Sequence, residues 1–169
     1  MPEPTKKFVP ETASARDILI LAIRMEKGSM DFYRIAQQQP KLAKTKGLLE
    51  TLENAEKKHM QQLYDRLIAM VKPHNLPPLD KLVQGTVSYM EGGIEINKAL
   101  LELETIISGE LELLEIGIEK EYLAYDFYKR AAAMITDPDS GSLLHELAKQ
   151  EHNHAQILLD RLAQVVRQK

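Results

Sequence analysis

Apolar residues return at intervals of three and four along four stretches of the chain, about residues 14–38, 45–71, 108–134 and 141–167, and strict apolar–polar alternation is nowhere sustained. Such spacing lays one apolar stripe along an α-helix. The polar positions between are filled largely by Glu, Lys and Gln, which lose little side-chain freedom on becoming helical. The first two stretches are separated only by Pro40 to Thr45, and the last two by Thr136-Asp137-Pro138-Asp139-Ser140-Gly141, a cluster of helix-stop and N-cap residues. Connections this short fold each pair into an antiparallel hairpin.

Between the hairpins lie about 35 residues, opening with Pro73-His74-Asn75-Leu76-Pro77-Pro78, passing through Gly92-Gly93, and predicted to hold a short helix near Glu95 to Ile107. A helix of about 25 residues is about 38 Å long, whereas extended chain covers about 3.3 Å per residue. The segment can therefore run the length of the hairpins as a crossover. The expected architecture is all-α: a four-helix bundle built from hairpin one (about 14–71), a crossover (about 72–107) and hairpin two (about 108–167). It forms a single domain over 13–169, preceded by a flexible segment at 1–12.

The two hairpins are copies of each other. Shifting the chain by 95 residues superposes 23–71 on 118–166 without gaps and gives 17 identities in 49 positions, where chance gives about three. Helical composition accounts for matches at Leu and Ala. It does not account for Asp31-Phe32-Tyr33 recurring as Asp126-Phe127-Tyr128, or Asp65-Arg66-Leu67 as Asp160-Arg161-Leu162. A duplication predicts a pseudo-twofold axis, and polar residues repeated across it mark what both copies contribute to the interior.

Composition narrows the chemistry. The formal net charge is −3 with acidic and basic residues interspersed, so no basic stripe tracks a nucleic acid. There is no cysteine, which excludes disulfides, thiolate metal sites and a thiol nucleophile. The longest apolar run, Ile18 to Ile23, is far too short to span a bilayer, and the first residues carry no signal-peptide core, so no membrane is expected and the cytoplasm is the expected compartment. Neither a phosphate-binding glycine loop nor a Gly-x-Ser-x-Gly elbow occurs. Any metal must be held by His and carboxylate.

Those residue types repeat at the offset of 95: Glu26 maps onto Glu121, Glu56 onto Glu151, and His59 onto His154. Glu56-Lys57-Lys58-His59 and Glu151-His152-Asn153-His154 are each Glu-x-x-His, and residues at i and i+3 share a helix face, so carboxylate and imidazole point the same way. One such motif alone is usually a solvated pair. Two at symmetric positions, each joined by a symmetric Glu on the preceding helix, give four carboxylates and two imidazoles from four helices. Four buried carboxylates without cations repel one another, and two divalent ions cancel their charge. The N/O donor set suits Fe or Mn and is compatible with Zn.

Through Glu26-x4-Asp-Phe-Tyr, Glu56-x2-His, Glu121-x4-Asp-Phe-Tyr and Glu151-x2-His the sequence resembles the rubrerythrin and ferritin-like di-iron carboxylate family, over nearly the whole chain outside the first dozen residues and the crossover. The resemblance implies a ferritin-like bundle with two iron ions held by Glu26, Glu56, His59, Glu121, Glu151 and His154. Glu56 and Glu151 would be the bridging carboxylates. It also implies that Tyr33 and Tyr128 donate hydrogen bonds to those carboxylates, the other reading being core aromatics with satisfied hydroxyls. The implied activity is a non-haem di-iron oxidoreductase acting on O2 or hydrogen peroxide, with a role in oxidative stress. Ferroxidase-linked iron binding or storage is one alternative, and a non-catalytic, metal-stabilised helical interaction protein another. A homodimer is expected.

Two departures bear on mechanism. Full-length rubrerythrins carry a four-cysteine rubredoxin-like module for electron delivery, and these 169 residues contain no cysteine, so an electron donor is expected to be another protein. The family also places an extra Glu three residues after the first ligand of the third helix. Here that position is Ala124, and its counterpart is Ser29. His145 and His152, nine and two residues before His154, fall on roughly the opposite face at about 100° per residue and are expected at the surface, as is His74. Glu53, whose repeat partner is Ala148, is expected to have a supporting or surface role. Phe32 and Phe127 are expected in the core.

Overall fold

A computed structural model describes residues 13–39, 42–71, 76–84 and 109–168. The helices among them are α1 (Ala15–Ala36), α2 (Lys46–Met70), α3 (Leu79–Leu82), α4 (Glu110–Met134) and α5 (Pro138–Arg167), and no strand occurs among the described residues. The long helices pair as α1 with α2 and α4 with α5, and α2 also meets α5. The short helix expected near Glu95 to Ile107, His74 and the first twelve residues lie outside the described residues.

Helix ends follow local chemistry. Ser14 is a cap and not a first helical residue: its backbone is extended, its Oγ accepts from the Asp17 amide at 3.2 Å, and Asp17 accepts from the Ser14 amide at 3.3 Å. Helix α5 begins three residues earlier than the periodicity predicts. Asp137 caps it by accepting from Ser140 N at 2.9 Å, and Pro138 takes the first position, where a missing N–H costs nothing. Part of the presumed loop is thus the first turn of the helix. Helix α4 starts from Gly109, whose φ of 89° is one that side-chain-bearing residues rarely adopt.

Two apolar clusters divide the interior. One gathers Ile18, Leu19, Ala22 and Ile23 of α1, Leu63 and Leu67 of α2, Phe127 and Ala131 of α4, and Leu144 and Leu147 of α5. The other gathers Phe32 and Ala36, Leu49 and Leu52, Leu113 and Leu114, and Leu158 from the opposite ends of the same helices. Each helix therefore runs from one cluster to the other: α1 and α5 in one direction, α2 and α4 in the other. Helix α3 stays at the first cluster, with Leu82 buried there and Tyr64 OH donating to Pro77 O at 3.0 Å. Residue 84 thus lies at one end of the bundle and the start of α4 at the other.

The repeated Asp-Arg-Leu explains itself at the helix ends. Arg66 reaches from α2 to the start of α5, with Nη2 2.7 Å from Asp137 and Nε 3.0 Å from Ser140 Oγ. Its counterpart Arg161 reaches from α5 to the start of α4, with Nε 2.7 Å from Glu110 Oε1, an oxygen that also accepts from Thr45 Oγ1 at 2.6 Å, at the cap of α2. Ser140 and Thr45 are repeat partners, so the two clasps meet corresponding helix starts, Arg66 directly and Arg161 by way of Glu110.

Candidate metal centre

Midway between the apolar clusters the interior turns polar. Glu26, Glu56, Glu121 and Glu151 are wholly buried, His59 nearly so, and His154 is 12% exposed, a narrow opening on one side. Their donor atoms form two overlapping groups: Glu26, Glu56, His59 and Glu151, and Glu56, Glu121, Glu151 and His154. Within each group one ligand atom per residue lies within 4.8 Å of all the others. Glu56 and Glu151 belong to both. The structure thus brings together all six side chains singled out from the sequence, two from each Glu-x-x-His and one each from α1 and α4.

The distances are those of a cluster wanting cations. His59 Nδ1 lies 2.8 Å from Glu151 Oε1, 3.3 Å from Glu56 Oε2 and 3.4 Å from Glu26 Oε1. His154 Nδ1 lies 3.1 Å from Glu151 Oε2 and 3.5 Å from Glu121 Oε2. The two imidazoles stack, with centroids 5.4 Å apart and planes 15° from parallel. Glu56 Oε2, Glu121 Oε2 and His59 Nδ1 are buried with only one another's ionisable groups for neighbours and no hydrogen bond of good geometry, a costly state for polar atoms. These are donor atoms of the kind and number that divalent ions bind, and the residues fit such ions on that ground.

Burial alone pulls an imidazole toward the neutral form, but Glu26 and Glu151 outweigh it and push His59 far above its ordinary value. Burial likewise works against protonated His154, and hydrogen bonding to Glu121 and Glu151 raises it to about 10. Burial raises the Glu56 carboxyl, yet Lys120 and the two histidines hold it well below the usual carboxylate range.

The tyrosines act across the pseudo-twofold axis. Tyr33 of α1 donates to Glu121 Oε1 of α4, and Tyr128 of α4 donates to Glu26 Oε1 of α1. Each is buried, so the two sequence readings merge: both are core aromatics, and their hydroxyls are satisfied by the site's own carboxylates. Phe32 and Phe127 are buried and set the tyrosine rings edge-on, at 5.4 and 5.2 Å between centroids. The repeated Asp belongs to the surface, where Asp31 pairs with Lys27 and Arg34 and Asp126 pairs with Arg130.

Two residues escaped the sequence reading. Lys120 is wholly buried, with Nζ 2.9 Å from Glu56 Oε1 and 3.2 Å from Glu121 Oε1, and 5.0 Å above the Tyr33 ring. Inside Glu119-Lys120-Glu121 it reads as one charge in a solvated run. The available signal was its repeat partner, Met25, an apolar residue on an interior face. Gln150 is the second: its Oε1 lies 3.0 Å from His59 Nε2. In the neutral imidazole that bond fixes the proton on Nε2 and turns the Nδ1 lone pair toward the carboxylates. Elsewhere expectations and structure agree: His145 and His152 are exposed, and Glu53 lies off the cluster, accepting from Gln37 at 2.6 Å. Ala124 and Ser29 are buried, with no carboxylate at either position.

An all-helical bundle with a buried, twofold-repeated cluster of four carboxylates and two histidines defines a di-metal carboxylate protein. The rubrerythrin family model matches residues 17–163, and the chain belongs to that family. Comparison with curated proteins and with solved structures finds no match. No described helix is long and apolar enough to cross a membrane.

Proposed function

We propose that the chain is a non-haem di-iron oxidoreductase acting on O2 or hydrogen peroxide, with Glu26, Glu56, His59, Glu121, Glu151 and His154 as the metal ligands. The observation that carries this is the sharing of Glu56 and Glu151 between two overlapping donor groups, an arrangement suited to two ions and wasteful for one. A bound pair of ions of variable valence supplies the electron transfer to oxygen species. The chain's own residues provide the rest. Glu56 and Glu151 tie the two positions together, and His59 and His154 each serve one. Tyr33 and Tyr128 orient Glu121 and Glu26 and occupy one oxygen of each. The apolar clusters at either end keep bulk water out, while the edge at His154 is where a small oxidant would enter.

The proposal extends to a cytoplasmic homodimer that draws electrons from a separate donor protein. Ala124 and Ser29 supply no further carboxylate, so among the described residues turnover does not rely on an iron moving toward a seventh ligand. Anaerobic protein loaded with Fe(II) and mixed with peroxide or O2 tests the reading. Oxidation followed by repeated turnover on addition of a reductant is expected. A single oxidation that leaves Fe(III) retained, with no turnover by either oxidant, would favour iron sequestration, and no oxidation at all would remove both readings.

A further inference from the structure

The duplication sets up a site with two equivalent halves, and one residue breaks the equivalence. Lys120 occupies the position that Met25 holds in the first hairpin, so a fixed cation stands on one side of the pseudo-twofold axis and a thioether on the other. Its contacts are uneven between the two donor groups. Lys120 pairs with Glu56 and Glu121, both members of the group completed by His154, whereas only Glu56 belongs to the group completed by His59. In the His154 group Glu121 Oε1 also accepts from Tyr33, so Lys120 and Tyr33 together engage one oxygen of Glu121, and Lys120 engages one of Glu56. A metal there would be left Glu121 Oε2 and Glu56 Oε2, next to a positive charge with no solvent between.

We infer that Lys120 makes the two metal positions unequal: the position of Glu26, Glu56, His59 and Glu151 fills first and tightly, and that of Glu56, Glu121, Glu151 and His154 fills second and at least about tenfold more weakly. The inference rests on the di-metal reading and deepens it. Lys120 touches two carboxylates of the group completed by His154 and one of the group completed by His59, so its charge weighs more against an ion in the former. An ion in the position that fills first also offsets the shared carboxylates Glu56 and Glu151, which lowers the attraction left for the second. Burial makes the difference large, because charges inside the bundle are poorly screened. Such a protein holds a resident ion and exchanges the other, and the exchangeable position lies on the side of the partly exposed His154.

Anaerobic titration of the metal-free protein with Mn(II) alone, followed calorimetrically, tests this without any activity measurement. The wild type should take up Mn(II) in two steps at least about tenfold apart in affinity. His59→Ala should abolish the tight step and His154→Ala the weak one. Lys120→Met, which copies the other hairpin, should tighten the weak step about tenfold or more and bring the steps together. Lys120→Gln should do the same if the Met variant folds poorly, with helicity checked by circular dichroism in each case. Two steps of equal affinity in the wild type, a tight step that depends on His154, or a weak step unmoved in a folded Lys120 variant would each overturn the inference while leaving the di-metal site standing. Absence of Mn(II) binding in the wild type would overturn the inference and the di-metal reading together.

Discussion

At the scale of single residues, the site shows why carboxylates and imidazoles are more legible than what supports them. Glu26, Glu56, His59 and their counterparts stand out because a polar residue repeated at a fixed offset on a helical interior face has few structural explanations. Lys120 and Gln150 have no such repeat, since their counterparts are Met25 and Ala55, and each sits in a charged or polar run that helices usually show to solvent. Only packing reveals that they face inward. Gln150 should matter through His59: with its carbonyl gone, the imidazole loses the bond that orients it and fixes its proton on Nε2. Gln150→Ala is expected to weaken metal binding at the His59 position about 10- to 100-fold with the helical content intact. An unchanged isotherm would show that packing against His154 alone orients the ring.

At the scale of elements, long helices and their pairing followed from periodicity, while helix starts followed from chemistry that periodicity does not carry. Helix α5 begins at Pro138 because Asp137 caps it and Pro is welcome at the first position. That start is also held by Arg66, and the contact titrates. Hydrogen bonds from Ser140, then Arg66, lower the Asp137 carboxyl below its ordinary value of 3.8. A carboxyl depressed in the folded state stabilises it above the unfolded value, and the benefit is lost as pH falls through the folded value. Asp137→Ala should therefore lower Tm at pH 7, and the gap to wild type should narrow steadily below about pH 4. A gap that stays constant down to about pH 3 would assign Asp137 a role independent of its charge. The crossover was legible only as a length; its entry, pinned by Tyr64 and Leu82, depends on contacts distant in sequence.

At the scale of the whole molecule, the duplication organises everything described: two hairpins, two apolar clusters, two arginine clasps, two tyrosines that reach across the axis. The fold class was readable because a repeat halves the problem. The cross-hairpin hydrogen bonds were not, since spacing along one helix says which face a tyrosine shares and nothing about which helix it meets. Between the clusters lies a charged layer that costs stability unless cations neutralise it. Metal saturation at about 100 times the dissociation constant should contribute about 2.7 kcal/mol, raising Tm by about 5–10 °C for a chain of this size. Thermal scans with Fe(II) or Mn(II) and then with excess chelator check this, and identical scans would mean that the layer is stable without metal.

Metal content is the most direct test of the central claim that this bundle is built around two ions. Protein purified without air or chelator, compared by elemental analysis with the doubly substituted His59→Ala, His154→Ala protein, is expected to contain about two Fe per chain in the parent and essentially none in the variant. A folded parent without metal that takes up none when offered Fe(II), Mn(II) or Zn(II) would contradict the account and leave a helical bundle whose buried charges neutralise one another.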